Sequence, residues 1–577
     1  MSLEEGSQDT KMENLALRAR RDATISFISR LPTETLAEIF LLFERQYREA
    51  SFSVRNQAAQ TRPFGWLVIT HVCRHWRGVA RTLPHLWSHV PMAHKDEPIE
   101  MFLELSNGIP LSIVPGSLAY DDELQLKIFS LLIPEAPRIR SLRLCLSTEL
   151  LEELVSEVWE TPLLESITLE LGDEGTPPAP ALAFIQNASL PALRILSLRT
   201  FHCTYVRDFL RPTLTTLIVR MPASALSVPE WAEALEGLPL LEYLALDGAL
   251  EDEFFFEPVT RRVEMAHLTQ IELYDWYDGI HCAWLLDHLV LPSCHELTLE
   301  VRKAKTTASE DYRHIFYTVA SAMGHRFAPK SCNLRLSPGA ISIELWQDMA
   351  PVLDYSTGYP AYKNHGGLDR PQVTLFFDLR ECLGPRDALK AISALPLLNI
   401  HALRLDNFGC DLSLRSLSTL QAVEDLMYIC AQPLKFLRAI STPKGGDHPA
   451  ALLLLPALRH LTLRDAQWHR HGALCLKPFS DPPLGQQIDA AVDARRAMGV
   501  PLRELHLQGV CNLDESQDLE WFKDAPKRMP IFTWDAERRD RSDWKIPCTK
   551  CRKEVDGRAV SSDEGSDEDS EDASEDE

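Results

Sequence analysis

The chain has 577 residues, room for roughly three to five ordinary domains, and its 45% apolar and 25% charged residues are globular values. Asp and Glu number 83 against 59 Lys and Arg; ten of the acids fall in 561–577, which has no Lys or Arg, and the rest of the chain carries a net charge of −14. Such a body lacks the basic footprint of a nucleic-acid binder, and no apolar run approaches the ~18 residues of a membrane span. The leading MSLEEGSQDTKMEN has no apolar core, which predicts no secretory leader. Thirteen Cys, scattered singly apart from Cys548 and Cys551, read as reduced thiols of a cytoplasmic or nuclear protein.

In chain order, residues 1–23 are polar and predict a disordered or weakly helical N-terminus. Residues 24–92 predict a helical domain with two patterned segments. The first, LPTETLAEIFLLF at 31–43, puts Leu36, Ile39, Phe40 and Phe43 on one helix face. Pro32 suits the first turn, where no N–H is missed, and Glu34 suits the positive end of the helix dipole. The second segment, 66–80, puts Ile69, Val72, Cys73, Trp76 and Ala80 on one face. Leu83-Pro84 ends it and Leu86-Trp87 follows.

These three blocks, LP-x-E-x-L-x-x-I-F, V-C-R-x-W-R-x-x-A and LP-x-L-W, stand in the order of an F-box, and residues 28–87 resemble the divergent fungal-type form of that family. Residues 45–65, with four Arg and three Gln, read as a loop longer than in a compact F-box. F-box proteins are substrate receptors of SCF-type cullin–RING ubiquitin ligases. The resemblance therefore implies docking on the Skp adaptor subunit through Leu31, Pro32, Leu36, Ile39, Phe40, Val72, Cys73 and Trp76. Packing of the helices on each other is an equal reading for Leu36 and Val72; for Leu31 and Pro32, on the leading turn, the interface reading is preferred.

Residues 93–547 predict a repeat domain, within which from about 137 to 510 an L-x-x-L-x-L unit recurs, often preceded by Leu-Pro: LPALRILSL at 190–198, LPLLEYLAL at 238–246 and LPALRHLTL at 455–463. Weaker copies start at Ile139, Leu164, Leu214, Leu268, Cys294, Ile400, Leu434 and Leu502. From Ile139 to Cys294 the successive spacings are 25, 29, 21, 27, 27 and 26 residues, close to the 20–29 of leucine-rich repeats. In each copy the last two Leu face one side of a short strand, and stacked strands bury that side together. Residues 151–159, 417–429 and 488–498 have helical spacing between strands, and 305–395 has no good copy. The prediction is an α/β leucine-rich-repeat solenoid, irregular because the usual turn Asn or Cys is replaced by Phe201, Ala249, Trp276 or Val510. An ordinary α/β domain with leucine-rich strands is the alternative. The aromatics Trp521, Phe522, Phe532, Trp534 and Trp544 suit the covering of a core end.

Residues 548–577 are polar and acidic and predict a disordered tail, with Ser561, Ser566 and Ser574 each three residues before an acid. Cys548 and Cys551 supply half of a zinc ligand set with no second pair nearby and read as a solvated loop. Two His-rich spots occur, His71-x-Cys73-x-His75 and His469-Arg-His471; in the first, residues at i, i+2 and i+4 cannot all share a helix face. There is no Gly-rich phosphate loop, H-E-x-x-H or G-x-S-x-G motif. The sequence thus points to a non-catalytic adaptor without cofactor or metal, with neither nucleic acid nor membrane as a partner.

Residues between and after the paired strand leucines face the concave side of a repeat array. They are Arg143, Arg199 and Arg220 early, then Tyr243, Asp247, Glu272, Tyr274, Glu296 and Glu300, then Arg404, Arg438, His460, Arg464 and His506. Glu272, Tyr274, Trp276 and Tyr277 combine aromatics with charge, as interface anchors do, and are the expected binding patch for a basic segment of a protein substrate. Closure of the repeat edge by Trp276 is the competing reading. If the N-terminal helices only cap the first repeat, the chain is a leucine-rich scaffold unconnected with ubiquitin.

Overall fold

The computed structural model describes residues 31–52, 65–91, 97–114, 127, 130–146, 160–171, 190–251, 261–276, 279–302, 309–324, 327–337, 339–348, 371–378, 391–407, 414–430, 433–442, 453–468, 483–510 and 519–534. The fold is mixed α/β. It forms two compact units, Met1–Asp275 with His281–His295, and Trp276–Ile280 with Glu296–Glu577. The helices of 24–92 belong to the first unit.

That unit begins with α1 (Thr33–Phe52), a 3-10 turn at Gly65–Leu67, α2 (Val68–Val72), α3 (Arg74–Arg81) and a 3-10 turn at Pro84–Trp87. Then come β1 (His89–Pro91), α4 (Glu97–Leu105), β2 (Leu111–Val114), β3 (Ile139–Leu146), β4 (Ser166–Leu171) and β5 (Ile195–Arg199). α5 (Cys203–Phe209), β6 (Thr216–Arg220), α6 (Val228–Glu236), β7 (Tyr243–Asp247), β8 (Val263–Glu264), β9 (Gln270–Asp275), α7 (Ile280–Asp287) and β10 (Leu289–Val290) follow. Strands β1 to β7 and then β9 pair in that order, every pair parallel. β8 and β10 form a separate parallel pair.

The strand leucines make the core. Leu142, Ile167, Leu196, Leu217, Leu244 and Ile271 occupy one rung across β3–β9, and all are buried. Leu144, Leu169, Leu198, Val219, Leu246 and Leu273 fill the next buried rung. The leading Leu of a copy, such as Leu193 or Leu241, is buried as well. Each such side chain contributes roughly 1.5–3 kcal/mol by leaving water. The apolar residues at the expected Asn position, Phe201 and Ala249, are buried, so hydrophobic packing takes the place of a side-chain hydrogen bond there.

The second unit contains β11 (Glu296–Val301), α8 (Ser309–Met323), β12 (Ser331–Ser337), β13 (Ala340–Trp346), β14 (Val373–Asp378), β15 (Ala402–Asn407) and β16 (Asp425–Ile429). α9 (Leu434–Ser441), β17 (His460–Arg464), α10 (Leu484–Ala497), β18 (Glu504–Gln508), α11 (Leu519–Arg528) and β19 (Ile531–Trp534) complete it. Its strands run β11-β14-β13-β12-β15-β16-β17-β18-β19, parallel except where β13 pairs antiparallel with β12 and β14. The stretch without a good repeat copy is thus where a β12–β13 hairpin interrupts the one-strand-per-unit pattern.

Several expectations are corrected. Residues 417–429 are a 3-10 turn (Leu414–Thr419) followed by β16, not a helix. Leu420, Val423, Leu426 and Tyr428 are buried, so the L-x-x-L-x-L copy lies here, its first three positions having passed for helical spacing. The copy assigned to Leu434 is instead α9, which moves Arg438 from a strand to a helix. Within the segment 45–65, read as a loop, α1 continues to Phe52, and 53–64 lie outside the described residues. Helix α10 covers 488–497 of the predicted 488–498, with Met498 as its C-cap. Trp521 and Phe522 pack on the buried Trp468, Phe532 packs on both of them, and Trp534 stacks on Phe522 at 4.2 Å. Residues 1–23, 151–159, Trp544 and 548–577 lie outside the described residues.

Candidate functional site

Helix α1 buries Leu36, Phe40 and Glu44, one stripe at four-residue spacing. Ile39, expected on that face, is 42% exposed, and Phe43 is 37% exposed. Pro32 is exposed ahead of the helix and its carbonyl accepts from the Leu36 N–H at 3.0 Å; Leu31 is half-buried.

The second segment is two helices rather than one. Cys73 is extended (φ −159°, ψ 170°) between α2 and α3, and its Sγ accepts from the Trp76 N–H at 3.4 Å. The break turns Val72 and Cys73 to solvent, while Ile69, Val79 and Ala80 are buried. Arg77 Nε donates to the Thr70 carbonyl at 2.9 Å, which braces the two helices. Trp87 Nε1 donates to the Ala80 carbonyl at 2.8 Å, and Trp66, Trp87 and Phe102 meet edge-on at 5.2–5.9 Å.

Of the eight residues assigned to the adaptor, Leu36 and Phe40 are therefore core, and Trp76 packs half-buried on Phe40 with ring centres 5.1 Å apart. Pro32, Ile39, Val72 and Cys73 face solvent. With Leu42, Phe43 and Val68, the set of exposed large hydrophobics on α1 and α2 is Ile39, Leu42, Phe43, Val68 and Val72, five of the thirteen among the described residues. These five side chains leave apolar surface open to solvent on the two helices. Leu42 and Val68 lie off both apolar faces read from the spacing and are not among the eight adaptor residues.

Behind this surface Glu44 forms an ion pair with Arg48 at 3.2 Å. Burial pushes the Glu44 carboxyl up. His89 lies 3.7 Å from Glu44, too far for a hydrogen bond, and burial with help from Arg48 pushes its imidazole down to about 4.

On the polar face of the first unit's sheet, Arg199 pairs with Glu170 at 3.3 Å. Glu272 accepts from Tyr274 Oη at 3.0 Å and from Gln270 Nε2 at 3.2 Å. Burial, then Glu272, pushes the Tyr243 phenol up. Glu272 and Tyr274 are thus brought together. Trp276 belongs to the second unit, half-buried beneath the Arg302 guanidinium at 5.1 Å. Tyr277 lies outside the described residues.

In the second unit Arg404 is buried rather than presented to solvent, and it donates twice to Asp406 at 2.9 and 3.1 Å. His460 bonds Asp425 and lies 3.8 Å from Glu504, whose other oxygen meets His506 at 3.2 Å. Among the described residues, no group of three or more His, Cys, Asp or Glu is arranged to hold a metal ion, and no helix is long and apolar enough to cross a membrane. No protein-family model and no curated protein matches the chain.

Proposed function

We propose that the chain is an F-box substrate receptor of an SCF-type cullin–RING ubiquitin ligase. Its N-terminal helices bind the Skp adaptor, and a leucine-rich-repeat solenoid holds a substrate protein. The observation that carries the reading is the exposure of Ile39, Leu42, Phe43, Val68 and Val72 on α1 and α2 beside the Leu31-Pro32 block. The residues that resemble an F-box thus sit where a second protein can cover apolar surface. Strands that pair in chain order, each about 21–29 residues after the last between β3 and β9, support a repeat array. Co-expression with the Skp adaptor tests the reading: a stoichiometric complex is expected, and separation of the two on purification counts against it.

The scaffold reading has one observation in its favour. β1 follows the N-terminal helices directly and pairs with β2, Val90 opposite Ile113, as a capping element would. A cap needs no adaptor, so the same co-expression decides between the two.

A further inference from the structure

Helix α3 carries charge of one sign. Arg74, Arg77 and Arg81, at i, i+3 and i+7, lie on one helix face, and all three are exposed while Val79 and Ala80 on the opposite side are buried. The sequence around them is depleted in acid: residues 50–95 contain no Asp or Glu but five Arg and one Lys, in a chain where acids outnumber bases 83 to 59. The helix is held against α1 and α2, which expose Ile39, Leu42, Phe43, Val68 and Val72. Arg77 Nε ties it to the Thr70 carbonyl of α2 at 2.9 Å, and Trp76 seats it on Phe40 of α1 with ring centres 5.1 Å apart. A single extended residue, Cys73, separates the exposed Val72 from Arg74, so the cationic face begins where the apolar side chains of α2 end.

We propose that the protein partner seated on α1 and α2 is acidic along the edge that meets α3, and that Arg74 and Arg81 steer its approach. The inference rests on the adaptor reading and states the chemistry the adaptor presents: an apolar face bordered by carboxylates. A guanidinium pairs with a carboxylate through parallel N–H donors. At an exposed rim such pairs raise the rate of association and its sensitivity to salt more than they slow dissociation. A nucleic acid would meet the arginines but offers no apolar face to Ile39, Leu42 and Val72. An anionic bilayer would meet both, but Glu34 and Glu38 are exposed on the helix that carries Ile39 and Leu42 and oppose it.

The test measures association and dissociation rates of the full chain with the Skp adaptor at low and high salt, about 50 and about 500 mM. The association rate should fall about tenfold or more between them. Arg74→Glu with Arg81→Glu should lower the low-salt association rate about tenfold and flatten its salt dependence, with dissociation changed by no more than about twofold and circular dichroism unchanged. Arg74→Gln with Arg81→Gln should fall between. A complex whose association rate is indifferent to salt, or to the charge reversal, would overturn the inference and leave the adaptor reading standing. No complex at either salt overturns both. Binding of the chain to phosphatidylserine vesicles, lost in the charge-reversed variant, would assign the arginines to a lipid surface and likewise overturn the inference.

Discussion

The Met221 N–H donates to the Asp247 carbonyl at 2.7 Å, and Met221 does so from a left-handed backbone at φ +48°. It sits one residue past β6 and ties that strand's exit to the end of β7. The same device recurs. Thr200 (φ +61°) bonds Arg220, Gly248 (φ +66°) bonds Tyr274, and Asp465 (φ +55°) bonds Gln508. Gly248 meets the requirement without a Cβ penalty, whereas the other residues cost roughly 1–2 kcal/mol each there. Met221→Gly and Thr200→Gly should therefore stabilise by up to about 1 kcal/mol, the loss of strain exceeding the added freedom of the unfolded chain. Thermal melts check this, and a lower melting temperature for both would contradict it.

Leu196 and Leu244 sit at 0% exposure in the same buried rung, with Leu217 between them. Leu196→Ala or Leu244→Ala should cost roughly 2–5 kcal/mol. In a stacked array, hydrogen-exchange protection should be lost first in the mutated strand and its two neighbours. Uniform loss would indicate one indivisible core.

Arg495 is fully buried on α10 and, among the described residues, meets no carboxylate. Its guanidinium donates to the carbonyls of Ile440 at 3.1 Å, Leu455 at 3.3 Å and Leu458 at 3.0 Å. Burial lowers its pKa to about 10, so it remains charged at neutral pH. Arg495→Met removes the side-chain donor to the Ile440 and Leu458 carbonyls, while Leu455 keeps the Leu458 N–H at 3.2 Å, and should cost about 1–3 kcal/mol for each carbonyl left unpaired. Arg495→Lys should rescue little, because one ammonium cannot span the three sites. Denaturant midpoints read both; full rescue by Lys would show that charge alone matters.

His89 gives a pH dependence. Its folded pKa of about 4 lies below the ordinary 6.5, burial being the larger cause and Arg48 the second. Between those values the unfolded chain binds a proton that the folded chain refuses, so this group's contribution falls as pH drops from 6.5 towards 4. Glu44, pushed up by burial, acts in the opposite direction near its own titration, so the comparison must isolate the histidine. His89→Gln should flatten the decline in melting temperature over that window. An identical decline in both proteins would contradict it.

Legibility followed the strength of local periodicity. The copies at 190, 238 and 455 match their strands because the paired leucines admit one register, and before Leu238-Pro239 the helix Val228–Glu236 ends at Gly237. Where Leu417, Leu420 and Val423 stand three apart, the same residues fit a helix as well as the lead-in to a strand, and β16 was misread. The helix at Val228–Glu236 carries a Ser-x-x-Glu signal, Ser227 N–H donating to Glu230 at 3.0 Å, that went unused. The β12–β13 hairpin has no repeat signature to betray it. In the candidate site, residue types located the helices, but which side each residue faces depended on the break at Cys73. That break rests on backbone dihedrals, and no spacing rule marks it.

The central claim is adaptor binding, and calorimetric titration of the full chain with the Skp adaptor tests it most directly. The account predicts a one-to-one complex. Leu31→Ala with Pro32→Ala should weaken it by about 2 kcal/mol, roughly thirtyfold. Ile39→Asp with Val72→Asp should abolish it, with circular dichroism unchanged because both side chains already face solvent. No measurable complex, or affinity unaltered by both pairs of substitutions, would contradict the account.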